Sequence, residues 1–325
     1  MKEKSTCIIT SEWEYGAGKR GTSKGPQYVI NTLNETRGEW LTNTPIVQVS
    51  NDQHLPAESS PDTHTASDHP TLKSHLKNGS QLLDHQTLFA NKVAHQLNSG
   101  HNCLLLTADH SNGIGGVSGL CQVYAAEEVG VIWIDAHYDL HSPYTTPSGN
   151  SHGMAVNALI DDNNTECEEQ AITPDEALLW ENIKSIKGMG NAIPSRNIAF
   201  VGVRDFEPAE AALVEKHNIC SIHPEEINNK GIEHCIAQVL SHLQHCKYIY
   251  VSFDVDSMDP SISKATGTPV EGGLTVAQAK QLIQVFASDG RTQCIEITEF
   301  NPSLPQPKEM MTAIEEILSV SGLLE

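Results

Sequence analysis

Short runs of β-branched and other apolar residues recur along the chain at Cys7–Thr10, Ile46–Val49, Cys103–Leu106, Val129–Ile134, Ile198–Val203, Tyr248–Phe253 and Cys294–Ile297. Near-continuous apolar runs, without the alternation of a half-exposed strand, suit strands covered on both faces. Longer stretches with helical character lie among them: Gln81–Leu97, Ala209–His217, Gly231–His245 and Val276–Ser288, with Lys308–Ser321 closing the chain. This alternation predicts an α/β fold, a three-layer αβα sandwich with a mostly parallel central sheet. The 325 residues fit one such domain, 1–325, and no fixed-period repeat divides them. Asn51–Pro70 and the acidic Asp161–Glu176 break the pattern and are expected to be exposed loops.

In open α/β sheets ligands bind beyond the carboxyl ends of the strands, and here the residues following the apolar runs are mostly acidic or histidine. Val131–Ile134 leads into Asp135-Ala136-His137-Tyr138-Asp139, and an extended backbone would set Asp135, His137 and Asp139 on one side. The same spacing puts Asp254 and Asp256 together after Tyr250–Phe253. Leu104–Leu106 leads to Asp109-His110, and Gly113, Gly115 and Gly116 suit a tight turn into the next helix. Asp109-His110 alone has the composition of an ordinary strand-to-helix turn. The other two groups differ, because burying so many carboxylates at neighbouring strand ends is costly unless a cation offsets them. Four carboxylates and two imidazoles, without thiolate, suit manganese or a similar divalent ion better than structural zinc. Two such ions can bridge one water and lower its pKa, which implies hydrolysis.

Composition narrows the partners. A formal net charge of −21, from 41 acidic and 20 basic residues, argues against nucleic acid and anionic membrane surfaces. The eight cysteines are scattered without a Cys-x-x-Cys pair, which disfavours disulfides and zinc-thiolate sites. No secretory signal or bilayer-spanning apolar run is visible, so a cytoplasmic protein is expected.

Taken in order, several segments resemble the arginase (ureohydrolase) family. They are Gly16–Gly21 with Gly25-Pro26, Asp109-His110-Ser111, Asp135–Asp139, Ser252–Asp256, Ala265–Pro269 and Glu299–Ser303. The resemblance implies one Mn2+ held by His110, Asp135, Asp139 and Asp254, and a second by Asp135, His137, Asp254 and Asp256. Asp135 and Asp254 would bridge, and a bridging hydroxide would attack the guanidinium of L-arginine to give urea and L-ornithine. Glu299 matches the glutamate that pairs with the guanidinium, and His152 the proton-shuttle histidine. Thr146, Ser148 and Asn150 match residues that bind the α-carboxylate, and Thr268 falls in an active-site motif. His141 stands where arginases usually carry asparagine, and Glu207 where an aspartate receives the α-amino group, so the specificity end departs from the family pattern. The resemblance also implies a homo-oligomer, trimer or hexamer. The alternatives are another ureohydrolase (agmatinase, guanidinobutyrase or formimidoylglutamase) or a non-catalytic metal-binding protein of the same fold.

Overall fold

A computed structural model describes residues 5–50, 74–188 and 190–322. All seven apolar runs form strands, and one short strand joins them. They are β1 (Thr6–Ser11), β2 (Ile46–Val49), β3 (Asn102–Thr107), β4 (Val129–Ile134), β5 (Ile198–Val201), β6 (Cys220–Ile222), β7 (Tyr248–Asp254) and β8 (Thr292–Thr298). One sheet results, in the order β2-β1-β3-β8-β7-β4-β5-β6, and each of these pairings is parallel. The edge strand β6 escapes sequence reasoning because it is three residues long and only Ile222 is fully buried.

The helices are α1 (Gly25–Asn43), α2 (Gly79–Asn98), α3 (Asn112–Cys121), α4 (Pro174–Lys184), α5 (Pro208–His217), α6 (Pro224–Lys230), α7 (Ile232–His242), α8 (Val276–Ser288) and α9 (Pro307–Ser319). Strand side chains alternate between two cores. Ile8, Leu104, Ile132, Val251 and Ile295 pack with α1, α6, α7, α8 and α9, whereas Ile9, Leu105, Trp133, Tyr250 and Cys294 pack with α2, α3, α4 and α5. This period of two on strands apolar at nearly every position is what a sheet sandwiched between helix layers requires.

Three expectations change. Gly113, Gly115 and Gly116 do not form a turn but lie inside α3, where glycine costs about 1 kcal/mol each relative to alanine. The reason is close packing: a Cβ on Gly113 would stand 2.6 Å from the Trp133 ring, and one on Gly116 would meet the Tyr250 hydroxyl. The acidic stretch Asp161–Glu176 ends in helix, since Thr173 and Glu176 form a reciprocal capping box that starts α4 at Pro174. α1 was missed because its buried positions are few and Arg37 breaks its regularity (φ −139°, ψ 34°). Asn51–Pro70 lies outside the described residues. No described helix is long and apolar enough to cross a membrane.

Candidate metal centre

The four central strands β3, β8, β7 and β4 run in the same direction and are neighbours, so their carboxyl ends deliver Asp109-His110, Glu299, Asp254 and Asp135 to one place. Extended backbone does not do the converging, contrary to the sequence expectation. β4 stops at Ile134, the His137 N–H donates to Asp135 Oδ1 (2.8 Å), and Asp139 turns into the left-handed region at φ 53°. After β7, Val255–Ser257 form a 3-10 turn closed by the Asp256 N–H on Asp254 Oδ1 (2.7 Å). Glu299 is also left-handed, at φ 64°. Such conformations cost a non-glycine residue about 1–3 kcal/mol and persist where the surroundings enforce them. Here Asp139 O accepts the Val156 and Asn157 N–H groups, and the Glu299 N–H donates to Ala108 O.

His110 is buried with its ring stacked on Trp133 at a centroid distance of 3.9 Å. Its Nε2 lies 2.7 Å from Ser252 Oγ, whose own proton is donated to Glu296 Oε2 at 2.8 Å. The Ser252 oxygen must therefore accept from His110, which makes Nε2 the N–H and leaves Nδ1 with a lone pair. Glu296, fully buried, also accepts from the Thr107 and Tyr250 hydroxyls.

Nδ1 of His110 faces Asp135 Oδ2 at 2.9 Å, Asp139 Oδ2 at 3.1 Å and Asp254 Oδ2 at 3.3 Å. Neither Nδ1 nor Asp139 Oδ2 has a hydrogen-bond partner, although both are buried. A lone pair ringed by carboxylate oxygens is repulsive unless a cation or a proton sits among them. Beside this group, His137 Nδ1 lies 3.3 Å from both Asp135 Oδ1 and Asp256 Oδ2. Donor atoms of His110, Asp135 and Asp139, and separately of Asp135, His137 and Asp256, lie within 4.8 Å of one another. The donor set thus fits two cations sharing Asp135.

Crowding of these groups also shows in their protonation. Burial, joined by the charges of Asp256 and Asp135, pushes Asp254 well above the usual carboxylate range. Burial and Asp135 raise Asp139, and burial raises Asp256 against the pull of His137. Burial works to lower His110 and His137, but the surrounding aspartates outweigh it and hold both imidazoles above their ordinary value. Asp135, buried yet flanked by both rings, is held low. Protons on imidazole occupy the role that cations would fill.

A cavity of about 310 Å³ opens over these groups. It is lined by His110, His137, Asp139, Asp254, Asp256 and Thr268, together with His141, Thr146, Ser148, Asn150, His152, Asp205, Glu207 and Glu210. Thr268 donates its hydroxyl to Asp256 Oδ2 at 3.0 Å. Within this lining, His141 Nε2 approaches Glu207 Oε2 (2.9 Å) and Glu210 Oε2 (3.5 Å). Glu299 is buried and not itself on the wall; its Oε1 accepts the His110 N–H (2.9 Å) and lies 3.2 Å from His152 Nδ1. Burial lowers His152, but the bond and charge of Glu299, with Asp139 and Asp109, carry it up to about 9. Sequence reasoning missed Glu210, Asp205, Trp133, Ser252 and Glu296. Of these, Glu210 alone left a signal, as the acidic third residue of α5 after Glu207.

Strand ends carrying buried carboxylates and imidazoles, beside a polar cavity, define the class: an α/β protein with a candidate metal site. The Arginase family model matches residues 4–320, and the chain belongs to that family. Human Arginase-1 is 35% identical over 225 residues, covering 69% of this chain and 65% of that protein, just under two thirds of its length. The hepatic arginase of Aquarana catesbeiana is 28% identical over 335 residues, covering 98% of this chain and 93% of its own. Among solved structures, Entamoeba histolytica arginase in complex with L-ornithine superposes with a TM-score of 0.80 at 21% identity, over 99% of both chains. That likeness shows the fold.

Proposed function

We propose that this protein hydrolyses the guanidinium group of L-arginine to urea and L-ornithine, using two Mn2+ ions. The observation that carries this reading is His110 Nδ1, buried without a hydrogen-bond partner and facing Asp135, Asp139 and Asp254, with Asp139 Oδ2 also unpartnered. One ion would be held by His110, Asp135, Asp139 and Asp254, the other by Asp135, His137, Asp254 and Asp256. Four aspartates neutralise two divalent charges, and hard oxygen donors with imidazole suit manganese. Such ions supply a nucleophile from water near neutral pH and positive charge where an oxyanion develops.

The chain's own residues supply orientation and proton handling. Glu299 does not line the cavity, and its Oε1 is engaged by the His110 N–H and His152; its Oε2 would be the atom that meets a planar guanidinium, by charge-assisted bonds. His152, partly buried and held to Glu299, gives a proton to the departing amine. The Asp139 carboxylate, whose Oδ2 has no hydrogen-bond partner, would take the proton released from water. Glu207 presents negative charge to an ammonium group, while His141 limits that charge by pairing with it and Glu210, pushed well above the usual carboxylate range by burial and by Glu207, adds a hydrogen-bonding group.

Hydrogen-bond polarity supports an amino-acid tail. Thr146 Oγ1 accepts the N–H groups of Ser148 (3.3 Å) and Gly149 (3.0 Å), and Ser148 Oγ accepts that of Asn150 (3.1 Å). Their hydroxyl protons remain as donors for an anionic acceptor such as an α-carboxylate. Arginine carries both charges at this end, whereas agmatine lacks the carboxylate. The test is urea release from L-arginine, agmatine and 4-guanidinobutyrate after manganese loading. Arginine is expected to lead, and the reading is wrong if it is the poorest of the three. By family analogy the working unit is a trimer or hexamer.

A further inference from the structure

We propose that Lys77 is a specificity-determining residue, aiming the Asn150 amide and adding positive charge so that this end of the cavity selects guanidino compounds bearing a carboxylate. The inference rests on the functional reading above. Lys77 immediately precedes Asn78, the residue that caps α2, and it ties that end of the helix to the cavity wall twice. Its backbone N–H donates to Gly149 O (3.0 Å), and its Nζ donates to Asn150 Oδ1 (3.0 Å). Contact between the segments is close: a Cβ on Gly149, already at φ +75°, would stand 2.7 Å from Ser74 O. The two segments are therefore held in one register by backbone alone.

The side-chain bond has a chemical consequence. An ammonium can only donate, so Asn150 must turn its carbonyl oxygen toward Lys77. Nδ2, with two N–H donors, is then the end left free; it faces Gly18, 3.0 Å from where a Gly18 Cβ would be, and Asn150 itself lines the cavity. Without the lysine nothing in the pair sets the amide's direction, and the opposite rotamer would present an oxygen that repels carboxylate. Lys77 also puts an exposed positive charge at the wall in a chain of net charge −21. Glu207, which also lines the cavity, repels anions, so a carboxylate is steered to the lysine.

The experiment compares wild type, Lys77→Met and Lys77→Arg, each loaded with manganese, in two readouts: kinetics on L-arginine and agmatine, and calorimetric binding of L-ornithine and putrescine. Lys77→Met should raise KM for arginine roughly fivefold with a much smaller change in kcat, as fits an exposed charge. The kcat/KM ratio of arginine to agmatine, and the affinity ratio of ornithine to putrescine, should fall by a similar factor. Lys77→Arg should restore both ratios to within about twofold, because it keeps a donor and charge. Arginine turnover in wild type with both ratios unmoved in Lys77→Met overturns this inference alone. Ornithine binding that depends on Lys77, in a wild type that releases no urea from any guanidino compound, overturns the functional reading alone. A wild type that does neither overturns both.

Discussion

The two ends of the cavity are built differently. At the ion end every proposed ligand except His137 is at most 6% exposed, and each comes from the end of a central strand or the turn beside it. At the specificity end, His141, Thr146, Ser148, Asn150 and Glu207 stand on loops and a helix start, and the Glu207 side chain is about half exposed. Burial makes the first end intolerant. A carboxylate removed there leaves others unpaired at low dielectric, at a cost of several kcal/mol. At the second end His141 and Thr146 are as buried as the ion ligands, but Ser148 and Asn150 are partly open and Glu207 is exposed, so water can replace a lost partner there and those residues can change and tune the substrate. The two family departures, His141 and Glu207, both fall at this tolerant end, and they bond to each other.

The largest effect is expected from Asp254→Asn, which should lower urea release by roughly a thousandfold and reduce bound manganese. Retention of wild-type metal content and rate would erase the contrast between the ends. Next comes Glu296→Gln, which touches no cavity yet breaks the acceptor chain through Ser252 to His110. Manganese affinity measured by competition with a chelator should weaken by about 10- to 100-fold, as for other supports behind a metal-binding histidine. At the tolerant end, Glu207→Gln should act mainly on KM for arginine, raising it about tenfold, with kcat less affected. A kcat collapse equal to that of Asp254→Asn would show the ends are not separable.

The smallest effect concerns His152, which joins the ends. Its folded pKa of about 9 lies above its ordinary 6.5, so its pairing with Glu299 stabilises the folded chain fully below about pH 6.5. That contribution is lost as pH rises through 9. In chelator-treated protein, the stability gap between wild type and His152→Gln should therefore shrink from pH 6.5 to pH 9.5 in urea melts. A gap that widens instead contradicts the assigned pairing.

What was legible in the sequence follows the same division. Strands buried on both faces announce themselves as continuous apolar runs, and carboxylates and imidazoles clustered at their ends are hard to explain without a cation. The short strand β6 and helix α1 were not legible, because few of their residues are buried and their patterns are weak. The path of the chain after β4 was also misjudged, since a left-handed Asp139 depends on partners from residues 156 and 157. The support behind His110 was invisible for a related reason. Ser252 and Glu296 are neighbours only because β7 and β8 pair in that register, and register is a property of the assembled sheet.

The most direct test is metal stoichiometry. Protein stripped with chelator and reloaded with manganese, then analysed for elemental content and by anomalous diffraction, should hold two ions per chain. One should lie among His110, Asp135, Asp139 and Asp254, the other among Asp135, His137, Asp254 and Asp256. A crystal with no ion there at saturating manganese, or with ions only among His141, Glu207 and Glu210, would contradict the assignment.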